Sequence, residues 1–570
     1  MDMPSRSNPK SVTDYLSEVV RPAAQDAADR ARLRWDETTG KWSERWDEAK
    51  GGVRATIDEA SVGLSGYLDE YRGRLRNLFD SRLDLDTLAL QRGLPPFAMR
   101  EIRGSRALAD LHALADDPLA AYIPAEYGGR GAHIKEGLAV LEATGYESLP
   151  LCLMVGINGG LFLQPVAKYA DETFKKEVFR RFLDGKSMGG LMITEPDYGS
   201  DALKMKTTAT PNGNGGVHIQ GTKHWAGLTG WADYWLLTAR PTGKNGEPGR
   251  DIGFYVADVT QPGQRITVEE TFANLGLYMI PYGRNKLDLT VPAVQQLQPT
   301  STGIKMMLDI LHRSRLQFPG MAMGFLRRMR DEAQLHAEER FVGGKALADY
   351  DQVQARLAKL QADATICGAM CLYTSENAGL EVDSSSMSLA ANSFKTTMSD
   401  AMHDAAQSYL QLSGANGYRQ DHLAGRSVTD SRPFQIFEGS NDILYEQVAD
   451  AVLKGMRKAK TSRLSTYLAE REPLTQKASG AMSDLFDFDV DLTISQRKTV
   501  DLGRALAKAV AIGTVVEMGD RGYPTELISQ AVDSLRDRIQ GHLAHFHSPE
   551  APGLVAGATS SPSWLGFVQS

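Results

Sequence analysis

Residues 434–442 read FQIFEGSND, with one carboxylate, Glu438, between an apolar run and a Gly-Ser-Asn-Asp turn. No Lys or Arg within the nonapeptide pairs that acid. A carboxylate held against apolar walls has a raised pKa and is poised to take a proton. The same nine residues also fit a surface acid just ahead of a helix. The other chemically interesting groups form weaker patterns. Cys367 and Cys371 lie four apart in TICGAMCLY, on one side of a predicted helix. Zinc would need more ligands nearby, so they read as buried small apolar residues, and no metal site is expected. His542, His545 and His547 in GHLAHFHS read as a surface cluster at a helix end. With Cys152 there are three cysteines in all. That number indicates no disulfide framework and fits a reducing cytoplasm, the expected location.

The elements that must position such an acid are legible in outline. The chain has 570 residues, 42% hydrophobic and 24% charged, which is enough for several domains with a large core. Net charge is −8, which argues against a global attraction to nucleic acid or anionic lipid. No apolar run reaches the roughly 18 residues of a membrane span. The opening MDMPSRSNPKSVTDYLSEVV has no signal-peptide apolar core. Residues 1–84 read as an accessory helical extension, with an apolar stripe from Val53 to Leu78. Residues 85–190 read as a helical domain, broken at GLPPF, PAEYGGRG and GINGG. Short β-rich runs between turn-rich pieces mark residues 191–298 as an antiparallel β domain. Helical periodicity returns over 299–458 as a bundle domain. Residues 459–570 add a further helical region and a Pro-, Gly- and Ser-rich tail. The fold class is therefore mainly α with a central antiparallel β domain.

Four segments in this layout carry a resemblance: GLMITEPDYGSD at 190–201, KHWAGLTG at 223–230, QLSGANGY at 411–418 and FQIFEGSND. In this order they resemble the acyl-CoA dehydrogenase superfamily over about residues 85–457, with PAEYGG at 124–129 fitting its N-terminal helical domain. The resemblance implies FAD, an acyl thioester and α,β-dehydrogenation. That reaction needs a base for the α-proton, donors for the enolate oxygen and an acceptor for the β-hydride. Flavin N5 is the acceptor in such enzymes. The resemblance places Glu438 at the catalytic base, with its apolar approach as the acyl pocket wall and its backbone N–H on the thioester carbonyl. Gly439 would allow the tight turn beside the substrate. Ser440 would open the following helix near Ile443 and approach FAD. Met192, Ile193 and Thr194 would face the flavin ring, and Ser200 the FAD pyrophosphate and the CoA arm. Trp225 would pack against the isoalloxazine.

Here the sequence departs from the family pattern. Gly227 stands where a Thr or Ser usually reaches flavin N5, so backbone N–H groups or Thr229 substitute, or N5 lacks that bond. Arg340 would bind FAD pyrophosphate from a neighbouring subunit, but Gly343 replaces the aromatic residue expected after it, with Phe341 as a stand-in. Gln411 and Gly414 would line the adenosine end across a subunit contact. Arg315 would sit near CoA, and LHRSR at 311–315 carries no acid to serve as an alternative base.

The implied partners are an acyl-CoA, or an acyl group on a carrier protein, and an electron-transfer flavoprotein. A homo-oligomer is expected, with a dimer favoured because the C-terminal region would cover a surface used for tetramers. Three other functions compete. The altered KHWAGLTG segment fits an oxidase or flavin monooxygenase, although Glu438 argues against the latter. A non-catalytic, nucleic-acid-associated relative should carry a basic stripe, whereas residues 460–548 mix RKAK and SQRK with DLFDFDVD. An amphipathic membrane-docking role for the C-terminal region is permitted by composition.

Overall fold

The computed structural model describes residues 118–549, apart from 185, 186, 244, 279 and 420, and residues 563–567. The apolar stripe read at 53–78, the GLPPF break and most of the C-terminal tail lie outside the described residues. Two helical layers enclose the site, with a β sheet beside them.

The first layer begins with a 3-10 turn at Pro118–Tyr122 and the PAEYGG turn, where Gly128 takes φ 89°. Helix α1 spans Ile134–Glu147. Ser148 then accepts a hydrogen bond from the Leu151 N–H and caps α2, Leu149–Gly156. The predicted break at GINGG does not occur. The chain runs on through a π-helical segment, Ile157–Leu163, into α3, Gln164–Tyr169. The glycines serve close packing instead: a Cβ on Gly159 would lie 2.6 Å from the Tyr122 ring. By length and composition this 21-residue rod could cross a membrane, but 89% of its apolar window is buried inside the protein. Helix α4, Glu172–Leu183, closes the layer, capped by the Asp171 carboxylate on the Thr173 N–H.

Seven strands follow: β1 Gly189–Met192, β2 Thr208–Pro211, β3 Val217–His224, β4 Tyr234–Pro241, β5 Gly253–Asp258, β6 Thr267–Thr271 and β7 Gly283–Val291. Along the sheet the order is β1-β4-β2-β3-β7-β6, with β5 also on β4. The sheet is mixed rather than antiparallel, because β4 pairs in parallel with both β1 and β2. The β2–β3 hairpin and the loops around it return the chain to the side from which β1 entered, so β4 runs the same way as β1. Strand β4 is buried along YWLLTA, while β7 alternates buried and open positions as a one-sided strand does.

The second helical layer is built on α5, Gly303–Glu339. Its first N–H groups are satisfied by Thr302 and by Asp251 from the loop before β5. A two-residue hairpin follows, β8 Phe341–Val342 and β9 Lys345–Ala346. Gly343 and Gly344 form its turn at φ 60° and 87°, which explains a glycine at 343 in place of an aromatic residue. Helices α6 (Asp351–Asn377), α7 (Ser388–Ser413), α8 (Leu423–Ser431) and α9 (Asn441–Ala459) complete the layer. The C-terminal region adds α10 (Leu464–Glu470), α11 (Pro473–Gln476), α12 (Gln496–Asp520) and α13 (Thr525–His547). Helix α12 packs against α6, α7 and α9 as well as α13, so this region is continuous with the bundle core.

Candidate active site

Helix α8 ends in a 3-10 turn, Arg432–Gln435, and the chain reaches Glu438 before α9 begins. Phe434 meets Phe318 of α5 edge-on and Phe437 meets it at a tilt, with ring centroids 5.7 and 6.1 Å away. The apolar approach therefore anchors the turn to α5 and does not line the cavity. Ile436, between them, is exposed. Glu438 has φ 55° and Gly439 φ 93°, so the carboxylate stands on a strained left-handed corner.

One hydroxyl and two cations hold that corner. Ser314 Oγ donates to Glu438 Oε1 at 3.0 Å. Arg315 Nε donates to the Glu438 carbonyl at 3.0 Å and its Nη1 to Asn392 Oδ1 at 2.8 Å. Lys395 Nζ donates to the Gly439 carbonyl at 2.9 Å. Arg315, read from the sequence as lying near CoA, is buried here, with Nε on the turn and Nη1 on α7. Glu438 Oε2 is buried and has no hydrogen-bond partner among the described residues. Burial raises the Glu438 pKa, against the lowering effects of Ser314, Arg315 and Lys395. Burial also brings Lys395 down to about 7, with Glu438 opposing that shift and Arg315 adding to it.

Glu438 closes a cavity between the two helical layers. Leu141 of α1 lines it, with Leu153, Gly156, Ile157, Gly160 and Leu161 of the long rod and Ser314, Gln317 and Met321 of α5. The walls come from the helices before the sheet and from α5, and most are aliphatic. Besides Glu438, Ser314 and Gln317 are the polar exceptions, Gln317 being paired with Gln164 behind it. Aliphatic walls and an unpartnered carboxylate oxygen thus meet at one site.

The β domain meets this cavity at Gly227. A Cβ there would lie 2.8 Å from Ile157 Cδ1, a cavity residue, and 3.4 Å from the Tyr282 ring. Trp225, at φ 57°, is 56% exposed and lies 4.5 Å from the Phe272 ring centroid. An open aromatic face beside a bare glycine suits a flat ring system. Thr229 cannot replace the missing hydroxyl, since its Oγ1 donates to the Ala226 carbonyl and accepts from Asn285. Tyr282 stands beside that gap, and its pKa is raised by burial and by Glu438.

The loop of Met192, Ile193 and Thr194 is shaped from behind. Thr238 donates to the Met192 carbonyl, Lys223 Nζ to the Ile193 carbonyl, and the His224 N–H to the Thr194 carbonyl. Lys223 forms a buried ion pair with Glu195 at 3.0 Å. Ser200 lies exposed in the following turn. Ser440 is the N-cap residue of α9, which starts at Asn441 rather than near Ile443, and its side chain makes no capping bond. Arg340, Gln411 and Gly414 are exposed at helix ends, outside the cavity, and Phe341 is likewise open. Sequence reasoning missed Ser314, Gln317 and Lys395, which look like ordinary helix residues; only their contacts across the fold mark them.

A carboxylate with a buried, unpartnered oxygen thus lies in an aliphatic cavity between helical layers, with an exposed tryptophan on the neighbouring β domain. Family models for the acyl-CoA dehydrogenase N-terminal, middle and C-terminal domains match residues 101–186, 190–289 and 301–453. The chain belongs to the acyl-CoA dehydrogenase family. An acyl-CoA dehydrogenase of Bacillus subtilis (strain 168) is 26% identical over 56% of this chain and 83% of its own length. A 3-sulfinopropanoyl-CoA desulfinase of Paraburkholderia xenovorans is 28% identical over 58% of this chain and 84% of its own. For the human very long-chain specific acyl-CoA dehydrogenase the identity is 24%, and the chain spans 49% of its length. The fold matches an acyl-CoA dehydrogenase complexed with FAD from Bacillus anthracis at a TM-score of 0.67, with 18% identity over 84% of this chain and 86% of that one.

Proposed function

We propose that this protein is an FAD-dependent acyl-CoA dehydrogenase with Glu438 as its base. The observation that carries the reading is the buried, unpartnered Oε2 of Glu438, a residue that lines an aliphatic cavity. A substrate α-carbon held there would give its proton to Glu438. The strained turn fixes the direction of attack, and apolar walls strengthen the base once substrate expels water. FAD, when bound, supplies an acceptor for the β-hydride at N5, so that a Cα=Cβ double bond forms as the two C–H bonds break. Trp225 would flank its ring, and the backbone of Met192, Ile193 and Thr194 would meet its polar edge. Ser200, Arg340, Gln411, Gly414 and Ser440 would hold its phosphate and adenosine parts, the arginine and the Gln411–Gly414 segment acting across a dimer contact. An electron-transfer flavoprotein would take the electrons.

The test is anaerobic titration of the flavoprotein with acyl-CoAs from short to branched. Loss of the oxidised-flavin band with one class supports dehydrogenation and identifies the class. Glu438→Gln should retain FAD and lose that bleaching; unchanged bleaching would remove Glu438 from the base role. A second reading, an oxidase of the same fold, is favoured by the bare Gly227 and by nothing else; rapid substrate-dependent oxygen consumption would select it.

A further inference from the structure

The turn that carries Glu438 is tied to the C-terminal helices by a buried polar chain. Lys508, on α12, is 3% exposed and its Nζ donates to Tyr445 Oη at 2.7 Å. Tyr445 donates to Asp400 Oδ2 at 2.5 Å. Asp400 Oδ1 accepts from Gln435 Nε2 and from Asn441 Nδ2, each at 2.7 Å. Those two residues flank Glu438 on either side. Asn441 Oδ1 accepts from Lys395 Nζ at 2.8 Å, and Lys395 grips the Gly439 carbonyl. One carboxylate thus holds both shoulders of the turn, and a lysine from beyond the matched family domains faces that carboxylate at 4.0 Å.

The geometry points to Lys508 as a positioning residue for the Glu438 turn, acting through Tyr445, Asp400, Asn441 and Lys395. The inference deepens the reading above and rests on Glu438 being the base. The physical reason is charge. Asp400 is half-buried; burial alone would raise its carboxyl, but Lys508 and the hydrogen bonds from Tyr445, Gln435 and Asn441 hold it below the ordinary carboxylate value, so losing the cation favours its protonation. A protonated Asp400 would lose part of its hold on Gln435 and Asn441. Burial brings Lys508 down to about 8, with Asp400 opposing that shift, so the ammonium form prevails at neutral pH. The other charged and titratable groups near the chain are Arg504, Arg538, His542 and Asp404, and those facing Glu438 are Arg315, Lys395 and Tyr282.

Two variants of the full-length holoenzyme test this: Lys508→Met, which removes the cation at similar length, and Asp400→Asn, which removes the anion and keeps amide hydrogen bonding. Two readouts are used. The first is the pH titration of the Glu438 carboxyl, followed by its infrared band with Glu438→Gln as the assignment control. The second is the rate of flavin reduction at saturating acyl-CoA. Removing a positive charge should move the Glu438 titration to higher pH in Lys508→Met, and removing a negative charge should move it lower in Asp400→Asn. A displaced base should slow flavin reduction in Lys508→Met, by up to about 100-fold for a shift near 1 Å, with little change in substrate affinity. Lys508→Arg should recover part of both effects. Shifts in one common direction, or an unmoved titration with an unchanged rate, would overturn the inference. If Lys508→Met does not fold, the sign of the shift in Asp400→Asn decides. The infrared titration needs no turnover, so a wild-type protein that no thioester bleaches would defeat the activity reading while leaving the Lys508 result legible.

Discussion

Glu438 occupies a backbone conformation that side-chain-bearing residues rarely adopt, at a cost of about 1–3 kcal/mol. It persists because Arg315 and Lys395 each hold one carbonyl of the corner, those of Glu438 and Gly439. Each also makes a second bond, Arg315 to Asn392 on α7 and Lys395 to Asn441. Arg315→Met fills similar space and leaves the Glu438 carbonyl without its charged donor. Loss of a hydrogen bond to a charged group costs about 1.5–3 kcal/mol, so urea unfolding should show a fall of that order. On the proposed reading of Glu438 as the base, flavin reduction by substrate should slow as well, because its corner loses an anchor. Unaltered stability together with unaltered reduction would remove Arg315 from this role. The acid itself was legible in FQIFEGSND, because an unpaired carboxylate after an apolar run is a local pattern. Its supports were not. Ser314 and Lys395 are separated from the turn by 124 and 44 residues and follow ordinary helical spacing. Arg315 was legible as a candidate, but its contacts were not, since sequence does not reveal which way a helix face points.

At the scale of elements, the cavity depends on how the long helical rod meets the sheet. Asn158 in the π segment accepts from the Gly189 N–H at 2.7 Å through its Oδ1 and donates to the Met154 carbonyl at 2.8 Å. A Cβ on Gly189 would fall 2.2 Å from the Phe162 ring, so β1 lies directly on the rod. Strand β1 leads into Met192, Ile193 and Thr194, the segment assigned to the flavin edge. Gly189→Ala should therefore destabilise by about 1–3 kcal/mol, the range for overpacking, and should weaken FAD retention more than the same change at an open glycine such as Gly199. Equal FAD retention in both variants would show that β1 does not transmit the rod's position to the loop. Periodicity revealed most of the strands and the helices from 303 onward. NKLDLTV, for example, alternates in sequence and in burial. The parallel pairings of β4 were hidden, because they depend on where the chain re-enters the sheet. The GINGG continuity was hidden too: its glycines signal a break by propensity, whereas here Gly159 admits the Tyr122 ring to a helix that carries on.

Across the whole molecule, the same lysines that order the turn leave a signature in stability. Lys395 and Lys508 have folded pKa values of about 7 and about 8, below the ordinary lysine value of 10.5. Between those values and 10.5 the unfolded chain binds more protons, so each lysine makes folding more favourable as pH rises through that window. Glu438 runs the other way: its raised pKa contributes stability below its unfolded value of 4.5 that is lost as pH rises through the folded value. Urea melts of Lys508→Met and the wild type at pH 7.5 to 10 isolate one lysine. The wild type should gain stability relative to the variant as pH rises, and a constant difference would mean that Lys508 is not titrating as a buried amine.

The docking of the C-terminal helices on the bundle can be tested without touching that charge. A Cβ on Gly503 of α12 would lie 1.9 Å from the Tyr445 carbonyl oxygen, on the backbone of α9. Backbone cannot swing aside as a side-chain tip does, so even one methyl forces the two helices apart. Helix α9 starts at the Glu438 turn, and α12 carries Lys508 one and a half turns further on. Gly503→Ala should therefore lower stability by about 1–3 kcal/mol. It should also open the segment from 460 to 548 to limited proteolysis and slow flavin reduction while the β domain still retains FAD. Wild-type protease resistance with a wild-type reduction rate would mean that the bundle accommodates the separation and that the turn is ordered by α5 and α7 alone.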